Sequence, residues 1–169
     1  MKEINTNKFI FLDLDGVLNS NLYYCEKHHN DRYAEAIAQY PEELALGISA
    51  IDPVAVGNLN KILEATGAKI VVSSSWRHDP YLPDIFKAVG IKAPIFSITP
   101  LSESRIRGEE IQAWLDKQTG PYTYVILDDD SDMLESQLPY FVQTDWMKRG
   151  LSQDDAEQAI KILNENETM

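Results

Sequence analysis

The chain has 169 residues, with 15 Lys and Arg against 27 Asp and Glu, a formal net charge of −12, 44% apolar residues and one cysteine. That is the size of one ordinary domain, able to bury roughly 70% of the surface it exposes when unfolded, so it needs neither a disulfide framework nor a structural metal to hold a core. The negative charge excludes non-specific attraction to nucleic acid as the main binding force, and apolar runs such as Phe9 to Leu12 fall far short of the roughly 20 residues of a membrane helix; with a mostly polar Met1 to Lys8, no secretory leader and a cytoplasmic location are expected.

Lys8 to Asp13 (KFIFLD) is a nearly continuous apolar run ending in acid, the pattern of a strand buried on both faces. From Asn19 to about Ser49 the chain is polar, with Tyr23, Tyr24, Tyr33, Tyr40 and two histidines but no strand-like alternation. A helix is expected near Asp31 to Gln39, and the rest of that path is open. Asp52-Pro53 sets a capping residue before a proline, and Val56, Leu59, Ile62 and Leu63 recur at helical spacing until Gly67 stops them. Ala68 to Val72 reads as a second strand ending in three serines, Pro83 to Val89 as a helix stopped by Gly90, and Ala93 to Ile98 as a third strand. A helix from about Gly108 to Lys117 precedes a fourth strand, Tyr122 to Leu127, which runs into Asp128-Asp129-Asp130. A fifth short strand at Phe141 to Gln143 and a helix from Ser152 to Leu163 follow. Alternating strands and helices, with strands apolar throughout, predict an α/β fold: a Rossmann-like, doubly wound parallel sheet of about five strands. It forms one domain over 1–169, with a small cap-type insertion at about 19–50.

Ligands of such sheets bind beyond the C-terminal strand ends, where strand order reverses. Those ends carry Asp13-Leu14-Asp15-Gly16, Ser73-Ser74-Ser75 and Asp128-Asp129-Asp130, with Asp132 just beyond. So many carboxylates in one crevice repel one another unless a cation lies among them, and hard oxygen donors favour Mg²⁺. Serine hydroxyls and strand-end N–H groups suit a phosphate that an arginine can neutralise.

FLDLDGVLN at Phe11 to Asn19 resembles the first motif of the haloacid dehalogenase-like (HAD) superfamily of phosphohydrolases, and IVVSSSWR, the Arg107-Gly108 helix start and VILDDD continue the resemblance in chain order. TGAKIVVSSSWR, RGEEIQAWL, VILDDDSDM and TDWMKRGLSQDDAEQAI are most similar to the HAD domain of Swiss Army Knife RNA repair proteins. The resemblance covers Lys8 to Asn19 and about Ile51 to Leu163, leaving the insertion uncovered. It implies a Mg²⁺-dependent phosphomonoester hydrolase acting through an aspartyl-phosphate: Asp13 the nucleophile, and Asp15 the acid and base, with its backbone carbonyl facing the metal. Asp128 would bind the metal, joined by Asp129 or Asp132, directly or through water. Ser73 or Ser74 would hold the phosphate, together with a cation for which the superfamily usually has lysine and this chain offers Arg105 or Arg107. Arg107, directly before a helix, is favoured, and its planar fork suits the task. Arg77 is a further candidate for substrate contact, as is Asp132.

Competing readings attach to several residues. Asp130 or Asp132 can simply cap the next helix. Ser75 and Trp76 read as packing or capping residues, and Trp114 as core. Cys25, His28 and His29 lack a fourth ligand for zinc. Lys148 and Arg149 read as a solvated loop, with a secondary phosphate contact as the alternative. The expected substrate is a small phosphorylated metabolite or nucleotide, with no membrane partner. An RNA or DNA end is the alternative, and a non-catalytic binding module is the reading from another class.

Overall fold

Phe9 and Phe11 alternate with Ile10 and Leu12 along the first strand, β1 (Asn7–Leu12), and both sets are buried because the sheet is covered on its two faces. In the computed structural model, which describes residues 5–165 apart from the side chains of Lys27 and His28, β1 is the central strand. The leader reading of residues 1–4 and the zinc reading of His28 therefore lie outside the described residues. β2 (Lys69–Val72) and β3 (Ile95–Ile98) extend the sheet on one side of β1, and β4 (Tyr122–Asp128) and β5 (Phe141–Gln143) on the other. All neighbouring pairs are parallel, giving the order β3-β2-β1-β4-β5 of a Rossmann-like α/β sheet. The strands lie where the sequence predicts them, although β3 starts two residues later than expected.

Between β1 and β2 the chain forms α1 (Asn21–Cys25), α2 (Lys27–Ile37), α3 (Glu42–Ala50) and α4 (Pro53–Thr66). The polar segment thus holds three helices where the sequence suggested one. Its few apolar positions are enough: Ala36, Ala45 and Ile48 pack together, and Gly47 leaves no room for a side chain against Ile85. Arg32 ties α2 to α1 by donating to the Tyr23 hydroxyl at 2.8 Å, and to the end of α3 by donating to the carbonyl of Ile51. The insertion meets the core where Gly47 abuts Ile85, and Tyr24 of α1 accepts a hydrogen bond from Asn19. Asp52 accepts from the Val54 N–H at 2.9 Å to cap α4, Pro53 occupies its first turn, and Gly67 closes it in the left-handed region at φ +64°.

The remaining helices are α5 (Leu82–Ala88), α6 (Arg107–Leu115) and α7 (Gln153–Glu165). One face of the sheet, with Ile10, Leu12, Val72 and Leu127, packs on Leu59 and Ile62 of α4, Ile85 of α5 and Leu163 of α7. The other, with Phe9, Phe11, Val71 and Ile126, packs on Ile111, Trp114 and Leu115 of α6. Each fully buried side chain of this size contributes about 1.5–3 kcal/mol. Trp114 is core as expected: it meets Phe9 and Phe11 edge-on at 4.9 and 5.3 Å, and its indole N–H donates to Ser97 at 2.9 Å. Among the described residues, no helix is long and apolar enough to cross a membrane.

Candidate active site

Strand order reverses between β1 and β4, and the register there pairs Leu12 with Leu127. Asp13 and Asp128 therefore leave the sheet side by side, with the Asp13 N–H donating to the Leu127 carbonyl at 3.0 Å. Asp129 follows, and one carboxylate oxygen from each of Asp13, Asp128 and Asp129 lies within 4.8 Å of the others. Asp13 and Asp128 are buried. Burial, and then the charge of Asp13, push the Asp128 carboxyl up to about 8. Burial also raises Asp13, against the pull of Arg107, and raises Asp129.

Arg107 is the cation facing this group. The first residue of α6, it lies 3.5 Å from Asp13 and 3.7 Å from Asp128, and it also donates to the carbonyl of Ser73. One guanidinium cannot balance three carboxylates. Among the described residues, Oδ2 of Asp128 is fully buried without a hydrogen-bond partner. An orphaned carboxylate oxygen amid hard oxygen donors is the arrangement a divalent cation such as Mg²⁺ fits.

The Asp15 side chain lies outside that group. Its Oδ1 accepts from Asn19 Nδ2 at 2.9 Å and its Oδ2 from the indole N–H of Trp76 at 3.0 Å. Gly16 makes the turn after it at φ +80°, and a Cβ there would run into the Asp129 side chain.

The two serines differ. The Ser74 hydroxyl accepts from the Trp76 N–H at 3.2 Å and lowers the Asp13 carboxyl, whereas the Ser73 hydroxyl is buried without a partner among the described residues. Arg77 departs from its expected role as a substrate contact. Its side chain is 3% exposed, pairs with Glu110 at 2.9 Å and donates to the carbonyls of Ser73 and Ser74, so it braces the end of β2 from within. Asp132 departs likewise, since its Oδ2 accepts from the Arg107 N–H at 2.8 Å and caps α6. Arg105 is exposed and has no ion pair among the described residues. Cys25 is exposed, and His29 packs edge-on against Tyr24 at 4.9 Å in an aromatic cluster.

Sequence reasoning passed over three contributors. Asn19 also accepts from the Gly16 N–H at 3.0 Å, so one amide holds both the turn and Asp15. Trp76, read as packing, reaches Asp15. Thr144 donates its hydroxyl to the Gly16 carbonyl at 2.7 Å from the loop after β5, which also receives the Asn21 N–H on the Trp146 carbonyl at 2.9 Å. Arg149 anchors that loop through Glu26 at 2.5 Å and Asp52 at 3.2 Å, so its expected solvated state gives way to a pairing within the fold. Position in the FLDLDGVLN run was a signal for Asn19; nothing in the sequence marked Thr144.

A parallel Rossmann-like sheet with paired carboxylates at its switch point defines a HAD-superfamily domain. The chain belongs to the family described as the HAD domain in Swiss Army Knife RNA repair proteins, whose model matches residues 9–156. That membership implies a hydrolase of the phosphatase type. No curated protein and no solved structure matches the chain.

Proposed function

We propose that the protein is a Mg²⁺-dependent phosphomonoester hydrolase working through an aspartyl-phosphate. The observation that carries this reading is the convergence of Asp13, Asp128 and Asp129 on one crevice beside Arg107, with an orphaned buried oxygen among them. Asp13 attacks phosphorus as the ester P–O bond breaks, and Asp15 gives its proton to the leaving oxygen. Asp15 then takes a proton from the water that attacks the aspartyl-phosphate, freeing inorganic phosphate and restoring Asp13. Arg107 offers its fork to the phosphoryl oxygens, and the unpartnered Ser73 hydroxyl is a donor for one of them, with the Ser74 hydroxyl, which accepts from the Trp76 N–H, as the alternative. Asp128, Asp129, Asp13 and the Asp15 carbonyl would hold Mg²⁺, whose charge screens nucleophile from substrate. A cytoplasmic setting belongs to this reading.

Hydrolysis of an aryl phosphate by wild type and Asp13→Asn, each with Mg²⁺ and with EDTA, tests it. Turnover that requires both Asp13 and metal is expected. Equal inactivity of folded, Mg²⁺-bound wild type and variant on nucleotides, sugar phosphates and phosphorylated oligonucleotides would replace the enzyme with a binding module. The family match favours a second reading, hydrolysis at a nucleic-acid end; activity on oligonucleotide ends that falls steeply with salt would favour it.

A further inference from the structure

A cavity of about 450 Å³ opens beside the acidic crevice, lined by Asp129, Gln143, Thr144, Asp145, Trp146 and Met147. It begins at Asp129, one of the three clustered carboxylates, and Thr144 in its wall is bonded to the carbonyl of Gly16. The cavity therefore borders the site at Asp129, and Thr144 ties its wall to the turn that follows Asp15. Trp146 gives the lining its one aromatic side chain, with Tyr24 behind it. The Trp146 ring lies 5.9 Å from Tyr24, and the Tyr24 hydroxyl accepts at 3.1 Å from Asn19 Nδ2, the same amide that donates to Asp15. Tyr24 and Met147 are exposed, Met147 at 68%. Trp146 and Met147 sit on a braced loop: the Thr144 N–H donates to the Asp128 carbonyl at 3.0 Å and the Leu151 N–H to the Val17 carbonyl at 2.9 Å. Rigid aromatic surface left uncovered beside a reaction centre is suited to stacking on a planar ring.

Charge narrows the ligand further. The charged residues lining the cavity, Asp129 and Asp145, are both acidic. Lys148, next in the chain after the lining residue Met147, faces Asp145 at 3.8 Å, and Arg149 is engaged by Glu26 and Asp52. The lining offers no cation to a second phosphate.

We propose that this cavity is the leaving-group site and takes the uncharged planar ring of a nucleoside. The substrate is then a nucleoside carrying a single phosphate, in preference to a polyphosphate or a polynucleotide end. This inference rests on the phosphomonoesterase reading, and two arms of one experiment separate the two. In the first, kcat/KM with Mg²⁺ is compared for nucleoside monophosphates, glycerol phosphate, nucleoside triphosphates and an end-phosphorylated dinucleotide. Monophosphates are expected to lead glycerol phosphate by about tenfold or more; in Trp146→Ala that ratio falls about tenfold, and in Trp146→Phe most of it remains. In the second, calorimetry follows a nucleoside monophosphate binding to Asp13→Asn with Mg²⁺, with and without Trp146→Ala. Weaker binding in the double variant supports the cavity even if wild type hydrolyses nothing, which would overturn only the hydrolase reading. Equal binding, an unchanged ratio in Trp146→Ala, or a wild-type preference for glycerol phosphate, triphosphates or the dinucleotide overturns the inference.

Discussion

The indole N–H of Trp76 donates to Oδ2 of Asp15 across 3.0 Å, while Asn19 holds Oδ1 of the same carboxylate at 2.9 Å. Two donors from different segments, one after β1 and one after β2, thus aim the proposed acid and base. Trp76→Phe keeps a ring in place and removes one donor. A hydrogen bond to a charged group is worth about 1.5–3 kcal/mol, and this partly exposed one belongs at the lower end, so kcat on an aryl phosphate should fall about tenfold with little change in KM. An unchanged kcat would mean that Asn19 alone suffices.

That pair also shows where the sequence stops being readable. Asp13 and Asp128 could be placed together because apolar runs mark strands and parallel strands deliver their C-terminal residues to one edge. No such periodicity governs the short turn that carries Trp76 and Arg77. In that turn the indole faces Asp15 while the guanidinium is buried on Glu110, and residue type alone suggested the reverse. Thr144 is 128 positions from the Gly16 carbonyl it binds, a contact set by how the β5 loop folds back. In the insertion, short helices held by Arg32 on the Tyr23 hydroxyl and on the carbonyls of Ile48 and Ile51 leave little apolar repeat to detect.

Asp128→Asn should separate stability from function. The Asp128 carboxyl is pushed up to about 8 from an ordinary 3.8, so the folded state holds a proton that the unfolded chain has released. Metal-free protein accordingly loses stability as pH rises between those values, and the neutral amide escapes that loss. In EDTA, the midpoint of thermal unfolding of the variant should exceed wild type by roughly 2–4 °C, the scale of about 1 kcal/mol for a chain of this size, with the gap wider at pH 8 than at pH 5. Added Mg²⁺ should raise the wild-type midpoint and leave the variant unmoved. A variant that still responds to Mg²⁺ would remove Asp128 from the metal site.

Gly16→Ala strains two things at once. The residue sits at φ +80°, where a Cβ costs about 1–2 kcal/mol, and that Cβ would displace the Asp129 side chain. A lower melting midpoint is expected together with Mg²⁺ affinity weakened by about tenfold or more, read by calorimetry. Loss of stability with unchanged Mg²⁺ affinity would show that the position of Asp129 does not matter to the metal.

Arg77→Ala distinguishes a brace from a substrate contact. Arg77 and Glu110 are both buried and 2.9 Å apart, and the other oxygen of Glu110 accepts from the Ser102 N–H at 3.1 Å, so the pair joins the end of β2 to the loop before α6. Removing one partner leaves a buried charge uncompensated, at a cost of about 3–5 kcal/mol. Arg77→Met with Glu110→Leu removes both charges and replaces them with apolar volume, and should recover much of that loss in urea unfolding. If the double variant unfolds like wild type and also keeps wild-type KM on an aryl phosphate, the pair serves the fold alone. A stable double variant whose KM rises sharply would return Arg77 to the substrate, against its burial.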